Sequence, residues 1–428
     1  MNLAAHHSYD SYKDSGIKWQ NQVPATWDIK PIGAVTRPLS VENHPELDLL
    51  SVYLDRGVIP FSDVEEKRTN TTSLDLSKYQ LVEPGNLVLN NQQAWRGSVG
   101  VSKHRGIVSP AYIVLALADC FDPGFANYYF RTSTTVAHFL IASKGVGTIQ
   151  RNLYWPSLKR CKVVIPPIFE QSAIAAFLDD KCAKIDVAVK IKEDQIALLR
   201  ERRQIIIQDA VTRGLNPAGP MKNSGIDWIG QIPAHWEVRN AKWLFSHRKE
   251  RARKGEPQLA ATQKYGVIPQ ADFMELEGRR IVQVFLDFEI LKHVDAGDFV
   301  MSMRSFQGGI EYSEYTGCVS SAYVALKPGN QVYARYFKYL LKSTRYIEAL
   351  QSTSNLVRDG QALRFDNFSM VDLLVVPLDE QKEISDYLDA YGKKTDSAIA
   401  IKELQIAALK EYKTSLINAA VTGKIKVI

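Results

Sequence analysis

The sequence predicts an α+β protein with an internal repeat, in which two mixed α/β domains alternate with two long helices. Three observations carry this prediction. Similar segments occur twice along the chain in the same order, and the last segment of each copy has the composition and spacing of a long helix. The segments before it contain short β-rich runs bounded by glycine, proline and asparagine.

Length and composition limit the class of protein. The 428 residues correspond to about three domains at roughly 150 residues each. Hydrophobic residues make up 45% and charged residues 23%, which excludes disordered, collagen-like and disulfide-scaffold proteins. No apolar run approaches the roughly 18 residues of a membrane span, and no secretory signal is visible at the N-terminus. The cysteines lie far apart without a Cys-x-x-Cys pair, so we expect neither a zinc site nor disulfides. We therefore expect the protein to be cytoplasmic.

The net charge is a weak indication of the partner. The chain has 53 Lys+Arg and 47 Asp+Glu, a net charge of +6 and a pI of about 8.9. This excess is compatible with nucleic-acid binding but does not require it, because the clustering of charge matters more than the sum.

Four segments of the sequence occur twice. Lys13–Ile29 matches Lys222–Val238 at nine of 17 positions. The other pairs follow in the same order: Gly57–Pro60 with Gly266–Pro269, Gly106–Tyr112 with Gly317–Tyr323, and Pro167–Thr212 with Pro377–Thr422, the last with 21 identities in 46 positions. Because the offset changes only from 209 to 211 residues, the chain contains two copies of one unit.

The stretches between these segments differ, as Ser62–Glu83 has little resemblance to Phe273–Asp295. We interpret the repeated segments as a common scaffold and the stretches between them as variable parts. Two similar scaffolds with different variable parts suggest two related sites that recognise different targets.

Each copy first forms a mixed α/β domain with a curled sheet. The predicted strands are β-rich runs at Leu50–Tyr53, Asn86–Leu89, Val99–Val101 and Tyr112–Leu117, with counterparts at Phe299–Ser302 and Ala322–Leu326. Helical character follows at Ala126–Leu140 and at Tyr333–Gln351.

The last segment of each copy is predicted to be a long helix. Glu170–Thr212 contains no proline or glycine and is rich in good helix formers. Glycine ends the helices at Gly214 and Gly423, and Gly392 is expected to bend or break the second one near its start. Apolar residues at a 3.5-residue spacing form a seam that another helix must cover. The seam residues are Ile185, Val189, Ile196, Leu199 and Ile206 in the first helix and Ile399, Ile406, Leu409 and Leu416 in the second.

Basic residues interrupt the seam at Lys192, Arg203, Lys402 and Lys413, where their stems can lie on it while their charges stay in water. Forty-three helical residues span about 65 Å, more than one domain of this size can cover. We therefore expect the two helices to pair and to hold the two variable domains apart at a fixed distance. The alternative is that each helix is simply core of its own domain.

No catalytic motif stands out in the sequence. There is no phosphate-binding Gly-x-x-x-x-Gly-Lys-[Ser/Thr] loop, no Asn-Pro-Pro-aromatic motif of an adenine methyltransferase and no Pro-Asp dipeptide of a common nuclease core. Neither His-Glu-x-x-His nor Gly-x-Ser-x-Gly is present. The sequence therefore predicts a protein that binds and that is not itself an enzyme, with no metal site.

The repeated motifs carry a resemblance. They are Tyr-Lys-x-Ser-Gly-x-x-Trp followed by Pro-x-x-Trp, the Gly-Val-Ile-Pro element, Gly-x-Val-Ser-x-Ala-Tyr and the Pro-x-x-Glu-Gln entry to a long helix. From Lys13 to about Thr422 the chain resembles the specificity (S) subunits of type I restriction-modification systems. The resemblance implies two target-recognition domains separated by two helices that form an antiparallel coiled coil, with internal pseudo-twofold symmetry. The expected boundaries are 1–165 for the first recognition domain with its N-terminal segment 1–29, 166–213 for the first helix, 214–375 for the second domain and 376–428 for the second helix.

The resemblance also implies a function. Each domain would read one half of a bipartite, asymmetric target in double-stranded DNA through the major groove, and the coiled coil would set the spacer. Two methyltransferase (M) subunits and, in the full complex, restriction (R) subunits would be the partners. S-adenosylmethionine would bind to the M subunit, which would reach its adenine by base flipping. This chain would then hold no cofactor, metal or catalytic residue, and would not bind a membrane.

Candidate DNA contacts lie in loops and in one basic run, because amides can bind adenine, arginine can bind guanine and basic residues can bind phosphate. The alternative for each is a solvated polar loop or charged face. Repeated Trp19, Trp27, Trp228 and Trp236 are instead expected to be packing anchors. The candidates are Asn90, Asn91, Gln92, Gln93, Trp95, Arg96, Lys103, His104 and Arg105 in the first domain, and Arg248, Lys249, Arg251, Arg253, Lys254, Met303, Arg304, Ser305 and Gln307 in the second.

Two other functions remain open from the sequence. One is a fused or self-sufficient restriction or methyltransferase polypeptide. The other is a scaffold whose paired helices recruit proteins and whose domains bind peptides rather than DNA.

Overall fold

The structure is a computed structural model that describes residues 7–54, 56–63, 75–145, 151–278, 280, 288–302, 305–353 and 364–428. Contacts divide the chain into two compact units. Unit 1 contains the residues up to Lys192 together with Leu404–Ile428, and unit 2 contains Glu193–Glu403. Each unit therefore combines one α/β domain with parts of both long helices.

The chain up to Ile165 alternates short strands with short helices. The strands are β1 (Tyr12–Asp14), β2 (Gln22–Pro24), β3 (Asp28–Pro31), β4 (Thr36–Leu39), β5 (Leu50–Tyr53), β6 (Gly57–Pro60), β7 (Gln80–Val82), β8 (Leu87–Asn90), β9 (Val99–Val101), β10 (Gly106–Val108), β11 (Tyr112–Leu117), β12 (Ser143–Lys144), β13 (Asn152–Leu153) and β14 (Lys162–Ile165). The helices are α1 (Ile32–Val35), α2 (Pro123–Phe130), α3 (Ser133–Ala142) and α4 (Trp155–Leu158), and the long helix α5 (Ile168–Arg213) follows.

The second copy has corresponding elements. Its strands are β15 (Met221–Asn223), β16 (Gln231–Pro233), β17 (Glu237–Asn240), β18 (Phe245–Arg248), β19 (Leu259–Thr262), β20 (Gly266–Pro269), β21 (Lys292–Val294), β22 (Phe299–Met301), β23 (Glu311–Tyr312), β24 (Gly317–Val319), β25 (Val324–Pro328) and β26 (Asp372–Val375). Its helices are α6 (Ala241–Leu244), α7 (Gln270–Glu277), α8 (Ser305–Gly308), α9 (Ala334–Leu340), α10 (Thr344–Ser352) and α11 (Phe365–Ser369), and the long helix α12 (Leu378–Val421) ends the fold.

The central sheet is the same in both domains. It is antiparallel and four-stranded, with the order β4-β11-β8-β9 in the first domain and β18-β25-β22-β23 in the second. In the first domain the hairpin β5–β6 lies against β9, where a Cβ on Gly100 would come within 3.0 Å of the Cα of Gly57. Gly57 also has a φ of 72°, which favours glycine. The repeated Gly-Val-Ile-Pro element is therefore a turn and strand of the common scaffold.

Each predicted mid-domain helix is interrupted. The helix expected at Ala126–Leu140 is two helices, α2 and α3, because Thr132 is extended and its side chain caps α3 by accepting a hydrogen bond from the backbone N of Thr135. The helix expected at Tyr333–Gln351 is likewise divided into α9 and α10 at Ser343. The predicted helical character of both segments is therefore confirmed, and in each domain it consists of two consecutive helices.

The two cores contain the ends of the long helices. In unit 1, Leu416, Ala420 and Val421 of α12 pack into the core that holds Trp27 and the start of α5. In unit 2 the end of α5 packs in the same way, through Ala210 and Val211, into the core that holds Trp236 and the start of α12. Each domain is thus completed by a helix end from the other copy.

The helices α5 and α12 form an antiparallel coiled coil, as the resemblance implies. In unit 1, Asp186 of α5 contacts Lys413 of α12, and in unit 2 Arg203 of α5 contacts Asp396 of α12, so residues later in α5 meet residues earlier in α12. Of the predicted seam residues, four are buried: Ile185, Val189, Ile196 and Leu416. The other five are half-buried: Leu199, Ile206, Ile399, Ile406 and Leu409.

Gly392 does not break α12, which is helical from Leu378 to Val421. A Cβ on Gly392 would lie 3.2 Å from Nη2 of Arg203. The glycine therefore makes room for the Arg203 guanidinium, and the predicted break was wrong. The glycines at the helix ends do act as stops, because Gly214 and Gly423 have φ values of 72° and 74°.

Repeated tryptophans pack where the helix ends meet the domains. Trp27 and Trp236 are fully buried, and the indole N of Trp236 donates to Glu380 at 2.9 Å. The ring of Trp27 lies 3.1 Å from a Cβ built on Gly423. In the part of the chain that the structure describes, no helix is both long enough and apolar enough to span a membrane.

Candidate nucleic-acid interface

The amide-rich loop of the first domain connects β8 to β9 and is anchored at both ends. Asn90 ends β8, and residues 94–96 form a 3-10 turn whose Ala94 is fully buried. Gly97 follows with a φ of 106° and returns the chain to β9. The loop therefore presents its side chains from a fixed backbone.

Asn90 and Asn91 stabilise this loop themselves. The Oδ1 of Asn90 accepts from the backbone N of Gln92 at 3.1 Å. The Oδ1 of Asn91 accepts from the backbone N of Leu153 at 2.8 Å and so attaches the hairpin β12–β13. Both amide oxygens are engaged with backbone, which favours a structural role over the bidentate adenine contact expected from the sequence. Gln92 is exposed and Gln93 is half-buried, and both stay predictions.

Trp95 is the centre of a cationic cluster. Its indole N donates to the carbonyl of Gln92 at 2.9 Å, which orients the ring. The guanidinium carbons of Arg96 and Arg151 lie 4.6 Å and 5.8 Å from the ring centroid. We call Trp95, Arg96 and Arg151 the Trp95 cluster. On the same hairpin as Arg151, the Nζ of Lys144 lies 3.8 Å from the ring centroid of Tyr154.

Sequence reasoning found Trp95 and Arg96 but missed Arg151, Lys144 and Tyr154. These residues are about 50 positions further along the chain, and only the attachment of β13 to Asn91 brings Arg151 to the loop. In the sequence, the local indication of these residues is that two basic residues, Lys144 and Arg151, flank a short segment that contains glycine.

The connection from β9 to β10 carries the other candidates of the first domain. Lys103, His104 and Arg105 are all exposed. Arg105 forms an ion pair with Glu83, its Nε lying 3.0 Å from Oε1. Ser102 bonds both the backbone N and the carbonyl of His104, which holds the turn. The three residues are accessible to DNA and stay predictions.

Arg248 must be removed from the predicted phosphate contacts. Its side chain is only 5% exposed, and its guanidinium is surrounded by three carboxylates. Nε lies 2.5 Å from Asp298, Nη2 lies 3.0 Å from Asp295 and Nη1 lies 2.7 Å from Glu250. A guanidinium that is buried and paired in this way stabilises the fold and cannot reach a phosphate.

The rest of the basic run is exposed but partly neutralised. Arg253 has Glu250 at 3.3 Å and Glu256 at 3.8 Å, and Arg251 donates to the carbonyl of Ile290 at 3.1 Å. Lys249 and Lys254 are exposed as well. Lys249, Arg251, Arg253 and Lys254 therefore stay predicted phosphate contacts, with Arg253 the most strongly countered by acids.

The corresponding loop of the second domain is described in part. Met303, Arg304 and the side chain of Phe306 lie outside the described residues. Ser305 is 1% exposed, and its Oγ accepts from the backbone N of Ser302 at 2.9 Å, so it holds the turn and does not face DNA. This corrects the prediction for Ser305. Gln307 is exposed and stays a prediction.

Within the described ranges, no group of three or more His, Cys, Asp or Glu side chains could hold a metal ion. All four cysteines are free thiols. The chemistry of the candidate surface is therefore hydrogen bonding, cation–π contact and charge.

Comparisons with known proteins find similarity to type I restriction specificity subunits. A family model described as "Type I restriction modification DNA specificity domain" matches residues 233–409. The MjaVIII specificity subunit of a type I restriction enzyme from Methanocaldococcus jannaschii is 21% identical over 97% of this chain and 97% of its own length. The chain is similar to type I specificity subunits along nearly its whole length, and residues 233–409 match the model of their DNA specificity domain.

Two further specificity subunits are similar to this chain. The MjaX specificity subunit of the same organism is 24% identical over 67% of this chain, which spans 64% of that protein's length. The EcoKI specificity subunit of Escherichia coli is 23% identical over 44% of this chain and 43% of its own length.

Solved structures have the same fold. A chain from a study of complex assembly and conformational transition of the type I R-M system matches with a TM-score of 0.66 and 15% identity over 93% of this chain and 98% of that one. The HsdS subunit from Thermoanaerobacter tengcongensis matches with a TM-score of 0.54 and 16% identity over 94% of this chain and 98% of its own. The specificity-subunit fold therefore extends over both copies of the repeat.

Proposed function

We propose that this specificity subunit recognises a bipartite, asymmetric DNA target, each of its two domains reading one half. The observation that carries the proposal is that one sheet topology occurs twice with different side chains on its loops. Arg96 of the first loop corresponds to Gln307 of the second. Because arginine and glutamine prefer different bases, the two half-sites should differ.

The paired helices set the number of unread base pairs between the half-sites. The support is mechanical: α5 and α12 contact each other in both units, and each domain core includes a helix end. A shorter or longer pair of helices should therefore alter the spacer and leave the half-sites unchanged.

The partners are double-stranded DNA and the subunits of a type I complex. Two M subunits bind in this proposal, as the resemblance to type I specificity subunits implies. R subunits join in the full complex. The M subunits bind S-adenosylmethionine, flip the target adenine and transfer the methyl group, so this chain needs no cofactor of its own.

Binding and methylation assays test the proposal. The chain, co-expressed with the M subunits of its own operon, is tested for DNA binding, and methylome sequencing of the host reports the modified motif. We expect a split, asymmetric motif, and binding that weakens steeply with salt as counterions are released from phosphates. Binding that is indifferent to sequence and salt would contradict the proposal.

Controls separate the two other functions. The purified chain with S-adenosylmethionine and DNA, without partners, should transfer no methyl group, and robust transfer would instead indicate a self-sufficient enzyme. Co-purification with a methyltransferase supports the proposal, whereas peptide binding without any DNA binding would indicate a scaffold.

A further inference from the structure

We propose that Leu54 and Gln263 are specificity-determining residues, each of which contacts a base pair in the major groove of one half-site. Leu54 lies in the turn that joins β5 to β6, and Gln263 lies in the turn that joins β19 to β20. The proposal rests on the proposed function and deepens it, because it assigns base recognition to a second element of each domain.

The two turns occupy equivalent positions of a common hairpin. In both hairpins Gly-Val-Ile-Pro forms the second strand, and Leu54 and Gln263 are 209 residues apart, as the strands are. Gly57 and Gly266 have φ values of 72° and 74° and close the turns in the left-handed conformation that favours glycine. The backbone of the hairpin is therefore shared, whereas an apolar residue in the first turn corresponds to an amide in the second.

A basic side chain holds each turn from the same position of the repeat. In the first domain Nη2 of Arg131 donates to the carbonyl of Leu54 at 3.3 Å. In the second domain Nζ of Lys342 donates to the carbonyl of Gln263 at 3.0 Å and to Oε2 of Glu311 at 2.7 Å. Arg131 and Lys342 are 211 residues apart, an offset of the repeat. Each turn is therefore held through the backbone of the residue whose side chain differs between the copies.

Each of these side chains lies beside the candidate loop of its own domain. A Cβ on Gly97, in the loop between β8 and β9, would lie 3.8 Å from Cδ2 of Leu54. A Cβ on Gly308, the equivalent residue between β22 and β23, would lie 2.5 Å from Nε2 of Gln263. Leu54 is 55% exposed, and Gln263 is exposed as well. In each domain the turn therefore continues the surface of the candidate loop.

The two side chains match different bases. An exposed leucine offers apolar contact, which in the major groove suits the methyl group of thymine. A glutamine amide offers both a donor and an acceptor, and can bind N6 and N7 of adenine bidentately. Within the described residues no group bonds to the side-chain amide of Gln263, so both of its polar atoms are available to a base. We therefore expect Leu54 to read a thymine in one half-site and Gln263 an adenine in the other.

Methylome sequencing of two single variants tests the assignment. The chain is co-expressed with the M subunits of its own operon as wild type, Leu54→Gln and Gln263→Leu. Each variant should alter recognition at one base pair, the two affected pairs should lie in opposite halves of the motif, and the spacer should stay unchanged. Binding of the full complex to the wild-type motif and its single-base variants should show about a 5- to 150-fold loss of discrimination at that pair.

Matched controls make the same exchanges outside the turns. Leu140→Gln in the first unit and Gln231→Leu in the second are exposed positions and should keep the wild-type motif. Thermal unfolding shows whether each variant is folded, and Leu54→Ala or Gln263→Ala replaces one that is not.

Three outcomes would overturn the assignment: an unchanged motif in either folded variant, changes in the same half of the motif for both, or an equal loss of affinity for cognate and scrambled DNA. If wild type itself yields no split motif, the proposed function fails. If wild type yields a split motif that the variants keep, the role of the turns alone fails.

A variant of the ion pair tests Lys342 as a positioning residue. Glu311 is 2% exposed, so removal of Lys342 alone would leave a buried carboxylate unpaired, whereas Lys342→Met with Glu311→Gln removes both charges. This pair of changes should lose discrimination at the same base pair as Gln263→Leu, and should add little to it. Lys342→Arg, which introduces the residue type of the first domain, should keep the wild-type motif. Additive losses, or losses spread over several base pairs, would show that Lys342 does not act through Gln263.

Discussion

The ammonium of Lys413 on α12 lies 2.7 Å from both carboxylate oxygens of Asp186 on α5. Arg203 and Asp396 form the same contact with the roles of the helices exchanged, at 2.7 Å. Both pairs occupy equivalent positions of the repeat, since 210 residues separate Asp186 from Asp396 and Arg203 from Lys413. An acid in each copy therefore pairs with a base in the other, which makes the repeat complementary to itself.

The first prediction concerns this ion pair. Lys413→Glu would place two like charges together, and Asp186→Lys in the same chain should restore the attraction. Because both side chains are partly exposed, at 30% and 61%, we expect a coupling energy of only about 0.5–1 kcal/mol. Urea unfolding of the four chains of this cycle measures it. Lys394→Glu, at an exposed position of α12, is the control, and a coupling of zero would contradict a stabilising pair.

The second prediction concerns Gln381, which is fully buried at the start of α12. Its Oε1 accepts from the backbone N of Tyr333 at 2.7 Å, and its Nε2 donates to the carbonyls of Gln331 and Val376 at 2.8 Å and 2.7 Å. Gln381→Leu should leave three backbone groups unsatisfied and cost about 3 kcal/mol of unfolding free energy.

Denaturant unfolding checks this value, with Glu383→Gln on the exposed face of the same helix as the control. Gln171 makes the equivalent bonds in unit 1, to the backbone N of Asp122 and the carbonyls of Cys120 and Pro166, and Gln171→Leu should behave alike. A loss below about 1 kcal/mol for both variants would contradict the role of the Glu-Gln motif as an anchor.

The third prediction is a pH dependence of stability. His138 is 4% exposed beneath the ring of Trp19, with centroids 4.7 Å apart, and burial lowers its pKa from 6.5 to about 4. The unfolded chain therefore takes up a proton at higher pH than the folded chain. This group leaves stability unaffected above about pH 6.5 and lowers it as the pH falls towards 4, by up to about 3 kcal/mol.

Thermal unfolding of wild type and His138→Leu between pH 7.5 and 4.5 measures the effect. As the pH falls, the unfolding temperature of wild type should decrease more than that of the leucine variant. His104→Gln, at an exposed position of the same domain, is the control and should retain the wild-type profile. Parallel profiles for wild type and His138→Leu would contradict a neutral buried histidine.

The fourth prediction compares two glycines with left-handed backbone. A Cβ on Gly423 would lie 2.4 Å from Cδ of Pro24, whereas a Cβ on Gly85 would meet nothing within 4 Å. Gly85→Ala should cost about 1–2 kcal/mol for the backbone conformation alone. Gly423→Ala should cost about 1–3 kcal/mol more because it also overpacks the core at Trp27. Denaturant unfolding gives both values, and equal losses would contradict the close packing of the helix end.

Local patterns in the sequence were sufficient for much of the scaffold. The seam from Ile185 to Ile206 and the stop at Gly214 depend on spacing and backbone conformation within one helix, so they could be predicted. The ion-pair partners of Arg203 and Lys413 could not be predicted, because the register of two antiparallel helices is a tertiary property. The sequence shows only that Asp186 and Asp396 occupy equivalent positions of the repeat.

The candidate site was less predictable for the same reason. Arg248 belongs to a run of basic residues, but two of the three acids that pair with it, Asp295 and Asp298, come from the turn between β21 and β22, about 50 residues away. Asn91 and Arg151 are 60 residues apart, and only the pairing of β12 with β13 joins them to one loop. Residue type indicated which side chains have the chemistry to bind DNA. Burial and ion-pair or hydrogen-bond partners within the fold decide which of these side chains are accessible to it.

The most direct measurement is methylome sequencing of a chain whose first domain is replaced by its own second. Residues 29–166 are exchanged for residues 238–376, which leaves the α5 and α12 scaffold intact. Two recognition domains on one spacer predict a symmetric target, with both halves equal to the original second half and the spacer unchanged. An asymmetric target, or a target unrelated to the original second half, would contradict the division of recognition between the two domains.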